Sequence, residues 1–192
     1  MGWLFGLTGV PCITLKGGYK AFRKTVLSTF EKSYHFKVVG GLTGSGKTAY
    51  LKQLHEQGEQ TIDLESLAGH RGSAFGALGN LQQTSTEQFE NHLAMQLRTQ
   101  DSSRPIWIED ESRMIGTCKI PDAIYMQLAS APLHLLTTHF EARVERLVKE
   151  YGGFDKDALI LATKKLTKKL GGAKTEIIIR AIEESELKTA CS

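Results

Sequence analysis

A chain of 192 residues that is 41% hydrophobic and 23% charged has the composition of a soluble globular protein with a real core, which excludes disordered and fibrous classes. Its length suits one full domain plus a fragment of another, since domains commonly run to about 100–150 residues. The net charge of +3 permits a polyanionic partner without demanding one.

Three cysteines, Cys12, Cys118 and Cys191, show no paired spacing, which argues against a zinc site or a disulfide framework and makes a reducing cytoplasm the expected compartment. The apolar start has no basic segment and no small-residue cleavage site, and no apolar run approaches the roughly 20 residues of a membrane span, so no membrane partner is expected.

In chain order, residues 2–7 read as the end of a helix, 13–15 as a short strand and 19–30 as a helix after a Gly17-Gly18 turn. Trp3, Leu4, Phe5 and Leu7 are too apolar for so short a segment to cover by itself. From Phe36 strands and helices alternate: a strand over 36–39, a glycine loop, then a helix from Lys47 to about Gln57 that Gly58 ends. A second strand is expected over 60–64, followed by a Gly- and His-rich loop over 69–79 without apolar periodicity. Residues 84–88 resemble a capping box, and Phe89, Leu93 and Leu97 follow on one helix face.

Residues 105–108 form a short, wholly apolar strand of the kind buried in a parallel sheet. Pro121 opens a helix to about Ala129, 133–136 is a further strand, and Val144, Leu147, Val148 and Tyr151 mark an amphipathic helix. The tail over 155–187 reads as two helices separated by Gly171-Gly172. Alternating strands and helices predict an α/β fold, a three-layer domain with a mainly parallel sheet and a helical C-terminal tail.

Gly41, Leu42, Thr43, Gly44, Ser45, Gly46, Lys47 and Thr48 satisfy G-x-x-x-x-G-K-[ST] between a predicted strand and a predicted helix, the context a P-loop requires. Its glycines let backbone N–H groups turn inward around phosphate oxygens, and the helix N-terminus adds a favourable dipole. Lys47 supplies a charge for the outer phosphates, and the Thr48 hydroxyl is a hard ligand for Mg2+. The motif reads a diphosphate with its metal and leaves ATP, GTP and a prenyl diphosphate open.

Residues 106–109 resemble a Walker B strand ending in acid. Period-2 alternation sets Glu109 and Glu111 on one side and Asp110 on the other, without choosing the metal-polarising residue among them. Asp63 follows the second strand at the same sheet edge as the P-loop, as a base, a partner of metal-bound water or a helix cap. Arg71, in a flexible His-Arg-Gly-Ser loop, and Arg113, after the acids, offer guanidinium groups for an anion. Lys164, Lys165, Lys168 and Lys169 recur on adjacent helical positions, as RNA-backbone contacts or a solvated face.

Taken together, the loop 41–48, Asp63-Leu64-Glu65, His70-Arg71-Gly72-Ser73 and Trp107-Ile108-Glu109-Asp110-Glu111-Ser112-Arg113 resemble the tRNA 2-selenouridine synthases over nearly the whole chain. The resemblance implies a rhodanese-like domain followed by a P-loop domain. It also implies replacement of sulfur by selenium in wobble 2-thiouridine of tRNA, through an S-geranylated intermediate, with geranyl diphosphate and selenophosphate as donors. Lys47 and Thr48 would hold the diphosphate and its Mg2+, Glu109 and its neighbours would position them, and Arg71 and Arg113 would steady the leaving charge.

On this reading residues 1–30 are the C-terminal end of a rhodanese-like domain and 31–192 the P-loop domain with its lysine-rich tail. The rhodanese cysteine is expected upstream of Met1 or on a separate chain, with Cys12 and Cys118 as ordinary thiols. The alternatives are a P-loop small-molecule kinase or ATPase, and a non-catalytic remnant that binds tRNA or a partner.

Overall fold

The computed structural model describes residues 7–9, 14–73, 75, 76, 78 and 83–191. Trp3, Leu4, Phe5, Cys12 and Ile13 lie outside the described residues, and with them most of the expected helix over 2–7 and the first residue of the strand expected over 13–15. Thr14 and Leu15 are exposed and belong to no strand.

The chain runs α1 (Gly18–Phe30), β1 (Phe36–Gly40), α2 (Lys47–Glu56), β2 (Gln60–Ile62), α3 (Leu64–Ala68), α4 (Thr86–Thr99) and β3 (Ile106–Glu109). A hairpin of β4 (Met114–Ile115) and β5 (Cys118–Lys119) comes next, then α5 (Asp122–Ser130), β6 (Leu133–Leu135) and α6 (Phe140–Tyr151). The tail comprises α7 (Lys156–Lys165), α8 (Thr167–Leu170), α9 (Gly172–Glu183) and α10 (Leu187–Cys191).

Strands β2, β3, β1 and β6 make one sheet in that order, every pairing parallel, with Val38 beside Ile108 on one side and Leu133 on the other. Strand alternation then decides what each face buries. Phe36, Val38, Ile106 and Ile108 join Phe89, Leu93 and Leu97 of α4, Ile124 of α5, and Val26 and Phe30 of α1 in the main core. Val39 and Trp107 point the other way and meet Leu51 and Leu54 of α2. Helices on both faces of a parallel sheet are the three-layer α/β architecture expected from the sequence.

Several boundaries differ from the sequence reading, each for a local reason. The second strand stops at Ile62 because the Asp63 side chain accepts from Ser66 N at 2.7 Å and caps α3, an element the apolar pattern does not announce. The capping box is seated on Ser85, whose Oγ accepts from Gln88 N at 3.2 Å. The tail holds four helices where two are expected, because Leu166, Gly171 and residues 184–186, with Ser185 at a left-handed φ of +64°, each interrupt it.

Helix α1 packs into the same core as the sheet. Val26, Thr29 and Phe30 are buried there, and Arg23 donates to Asn91 Oδ1 at 2.6 Å. A boundary at residue 30 therefore does not coincide with a break in packing. Phe89, where α4 meets the sheet, is the largest fully buried side chain among the described residues. Phe89→Ala should cost about 3–5 kcal/mol of unfolding free energy, read from the urea midpoint at unchanged slope.

Candidate functional site

The central strand β1 ends at Gly40 and the chain turns through residues 41–46 before α2 begins at Lys47. Helix α2 has no side-chain cap and no acid in its first turn, so its N-terminal N–H groups face the loop with their dipole uncompensated. Lys47 Nζ donates to Gly41 O at 3.0 Å, folding the side chain back over the loop. Thr138 Oγ1 braces the loop from beyond β6, donating to Ser45 O at 3.0 Å.

Gly44 and Gly46 both hold left-handed φ, +80° and +94°, and both lie under α6. A Cβ on Gly44 would stand 2.9 Å from Arg143 O, and one on Gly46 2.7 Å from the Arg146 guanidinium. Glycine is thus required twice at Gly44, by the backbone conformation and by the α6 backbone above, and at Gly46 by the backbone conformation, its other neighbour being the end of the flexible Arg146 side chain. Arg143 Nε donates to Thr43 O at 3.1 Å and Arg146 Nη1 to Gly44 O at 2.6 Å.

On the neighbouring strand, Glu109 closes β3 with a fully buried side chain. Its Oε1 accepts from Glu65 N at 3.4 Å, while its Oε2 is buried without a hydrogen-bond partner. Glu65, Glu109 and Glu111 each offer an oxygen within 4.8 Å of the others. Burial, with the negative charge of Asp63 and Glu65 beside it, pushes the Glu109 carboxyl up to about 9. Burial, then Glu111 and Asp63, pushes Glu65 up to about 8; Glu111 is raised by burial despite the opposing pull of Lys47.

The acids, the phosphate loop, residues 71–73 and α6 enclose a cleft of about 500 Å³. Divalent magnesium fits this donor set. It is a hard ion that takes carboxylate and hydroxyl oxygens, and one member of the trio, Glu109, carries a buried carboxylate oxygen without a partner.

The structure sorts the candidate residues. Ser45, Gly46, Lys47, Thr48, Glu109, Asp110, Glu111 and Arg71 line this cleft, whereas Arg113 does not. Asp110 departs from the trio as alternation expects, its N–H donating to Val39 O at 2.9 Å. Arg71 approaches Glu150 Oε1 at 3.6 Å and lies over the Phe154 ring. Arg113 sits on another face, its Nη2 2.6 Å from Asp122 Oδ1 and its guanidinium over Tyr125. Lys164, Lys165, Lys168 and Lys169 are exposed on α7 and α8, apart from the cleft.

Residues 34–161 match the family described as the tRNA 2-selenouridine synthase AAA domain. The chain belongs to the tRNA 2-selenouridine synthase family. It is 39% identical over 78% of its length to the tRNA 2-selenouridine synthase of Pseudomonas putida (strain W619), covering 41% of that protein. The one from Marinobacter nauticus is 33% identical over 93% of this chain and 54% of its own length. The one from Salmonella newport is 40% identical over 75% of this chain and 40% of its own. The chain thus spans about two fifths to one half of these relatives.

Three cleft groups escape the sequence reading as site residues. Glu65 is part of the Asp63-Leu64-Glu65 motif, but only the helical turn that Asp63 caps brings it to the metal trio. Arg146 and Glu150 arrive from α6, about a hundred residues along the chain, with no local signal. Because Arg113 is exposed and engaged elsewhere, Arg113→Ala should leave pyrophosphate affinity within about twofold by calorimetric titration. A larger loss would return it to the site.

Proposed function

We propose that this domain binds geranyl diphosphate with Mg2+ and presents it to the wobble 2-thiouridine of tRNA, in the cytoplasm. The observation that carries this reading is the meeting, in one cleft, of a phosphate loop and a carboxylate trio suited to the ion a diphosphate brings with it. The family supplies the reaction: its relatives are named for tRNA selenouridine synthesis.

In the proposed step the geranyl carbon–oxygen bond breaks and a carbon–sulfur bond to the 2-thiouridine forms. The electron pair leaves on diphosphate and the ring N3 proton goes to water. Lys47 exchanges the Gly41 carbonyl for a phosphate oxygen, and the N–H groups of Gly44 and Gly46 bind the departing charge, while the Ser45 N–H holds the turn of the loop by donating to Leu42 O at 2.9 Å. Thr48 and Glu109 would hold Mg2+, with Glu65 and Glu111 beside them. When bound there, the ion would supply positive charge against the negative charge of the leaving group. Arg71 lines the same cleft as a further cation for that charge. Asp63 has its side chain committed to capping α3, so its part is to aim Glu65.

The selenium step, with selenophosphate as donor, calls for a thiolate that neither described cysteine supplies. Cys118 is fully buried with its Sγ donating to Thr84 O at 3.2 Å, and burial pushes the Cys191 thiol up. We assign that step to a rhodanese-like portion, on the same or a separate chain.

Geranyl diphosphate with Mg2+ should raise the melting temperature of the purified protein, as only ligands of the folded state do, and ATP should not. The reverse pattern would favour a kinase. Lys47→Ala should cost about 2–4 kcal/mol of binding free energy by calorimetric titration while leaving the unliganded melt unchanged.

The exposed lysines of α7 and α8 are proposed as tRNA backbone contacts. Neutralising Lys164, Lys165, Lys168 and Lys169 together should flatten the salt dependence of tRNA binding by about 0.7–0.9 log units for each phosphate left without its lysine. An unchanged slope would make them a solvated face only.

A further inference from the structure

Helix α6 reaches the phosphate loop by a route the motif does not describe, and among the described residues none of its cations has a counter-ion. Arg143 and Arg146 stand one turn apart on the face that meets the loop, and each donates to a loop carbonyl. Glu150, one turn further, faces Arg71 instead. Among the described residues no carboxylate lies within 4.0 Å of Arg146, although Glu65, Glu109 and Glu111 line the same cleft.

The Arg146 guanidinium has a specific seat. Its Nη1 lies 2.6 Å from Gly44 O, and its Nη1 and Cζ lie 2.7 Å and 2.9 Å from where a Gly46 Cβ would be. Lys47 is held in the same way, on the carbonyl of Gly41 at 3.0 Å. Two cations of one cleft therefore rest on neutral carbonyl oxygens of one loop. Such hydrogen bonds are weaker than those to an ionised acceptor, and a guanidinium fork is shaped to take two phosphate oxygens at once.

We infer that Arg146 is a diphosphate ligand, a cation of the site beside Lys47 and Arg71, held on Gly44 O until the anion arrives. The inference rests on the phosphate-binding reading above and extends it to a residue outside the motif. Arg143, which does not line the cleft, keeps α6 seated on Thr43 O while Arg146 turns to the ligand. The site thereby closes on its ligand from both ends: the loop supplies N–H groups from β1, and α6 supplies charge from above.

The test is calorimetric titration of Mg2+-pyrophosphate into the wild-type chain, Arg146→Gln and Arg146→Lys, with an unliganded thermal melt of each. Glutamine can still donate to a carbonyl but has no charge, whereas lysine keeps the charge without the fork. Arg146→Gln should bind about ten- to hundredfold more weakly, the scale of removing a charge-assisted hydrogen bond, and Arg146→Lys should recover much of that affinity. Both unliganded melts should match the wild type.

Equal affinity in the wild type and Arg146→Gln would overturn the inference and leave the phosphate site standing. Equal losses in both variants, accompanied by lowered unliganded melts, would make Arg146 a brace of the loop and overturn it too. If the wild type itself binds no pyrophosphate, the phosphate-site reading falls and takes the inference with it.

Discussion

Carboxylates packed together at the end of a buried strand repel one another, and around that repulsion the whole site is arranged. Glu109 is fully buried beside Asp63, Glu65 and Glu111, and no arginine or lysine forms an ion pair with any of the four among the described residues. An unpaired buried carboxylate costs several kcal/mol, so the unliganded protein keeps protons on groups that would otherwise have lost them, as the raised Glu65 and Glu109 carboxyls show. At the fully buried Glu109 a core apolar residue would be more stable. Acids gathered without counter-ions support the cation site proposed above.

The sheet is what forces the acids and the phosphate loop together. Strands β1 and β3 are parallel neighbours, with Val39 in register with Glu109, so the loop leaving β1 and the acids leaving β3 emerge from the same edge. Every apolar contact that holds that register, Val38 with Ile108 and Val39 with Trp107 above Leu51 and Leu54, therefore also sets the distance between the glycine loop and the carboxylate trio. Core packing and site geometry are here one constraint.

A second layer of organisation comes from after the sheet. The chain passes β6, braces Ser45 through Thr138, and lays α6 across the loop so closely that Gly44 leaves no space for a side chain beneath Arg143 O. Helices α7–α10 then pack on one another and back towards α6, with Leu159, Ala162, Ala181 and Ile182 buried among them. The tail thus supports the helix that covers the loop, and its lysines stay outside in solvent.

The sequence by itself determined the class of fold, the phosphate loop and the side of β3 on which each acid falls. All of these depend on a few consecutive residues and on the two-residue period of a strand. Its pattern could not show that β2 ends at Ile62. There a cap competes with strand extension, and the outcome swings Glu65 from a sheet position into the cleft. Nor could it separate Arg71 from Arg113, equal candidates by type and neighbourhood. Tertiary structure placed one at Glu150 in the cleft and gave the other to Asp122 on the surface. Arg146 belongs wholly to the tertiary structure, because the contact of its guanidinium with Gly44 joins residues about a hundred positions apart. Local chemistry is written in adjacent residues, whereas a meeting of distant ones is decided only when the helices find their packing against the sheet.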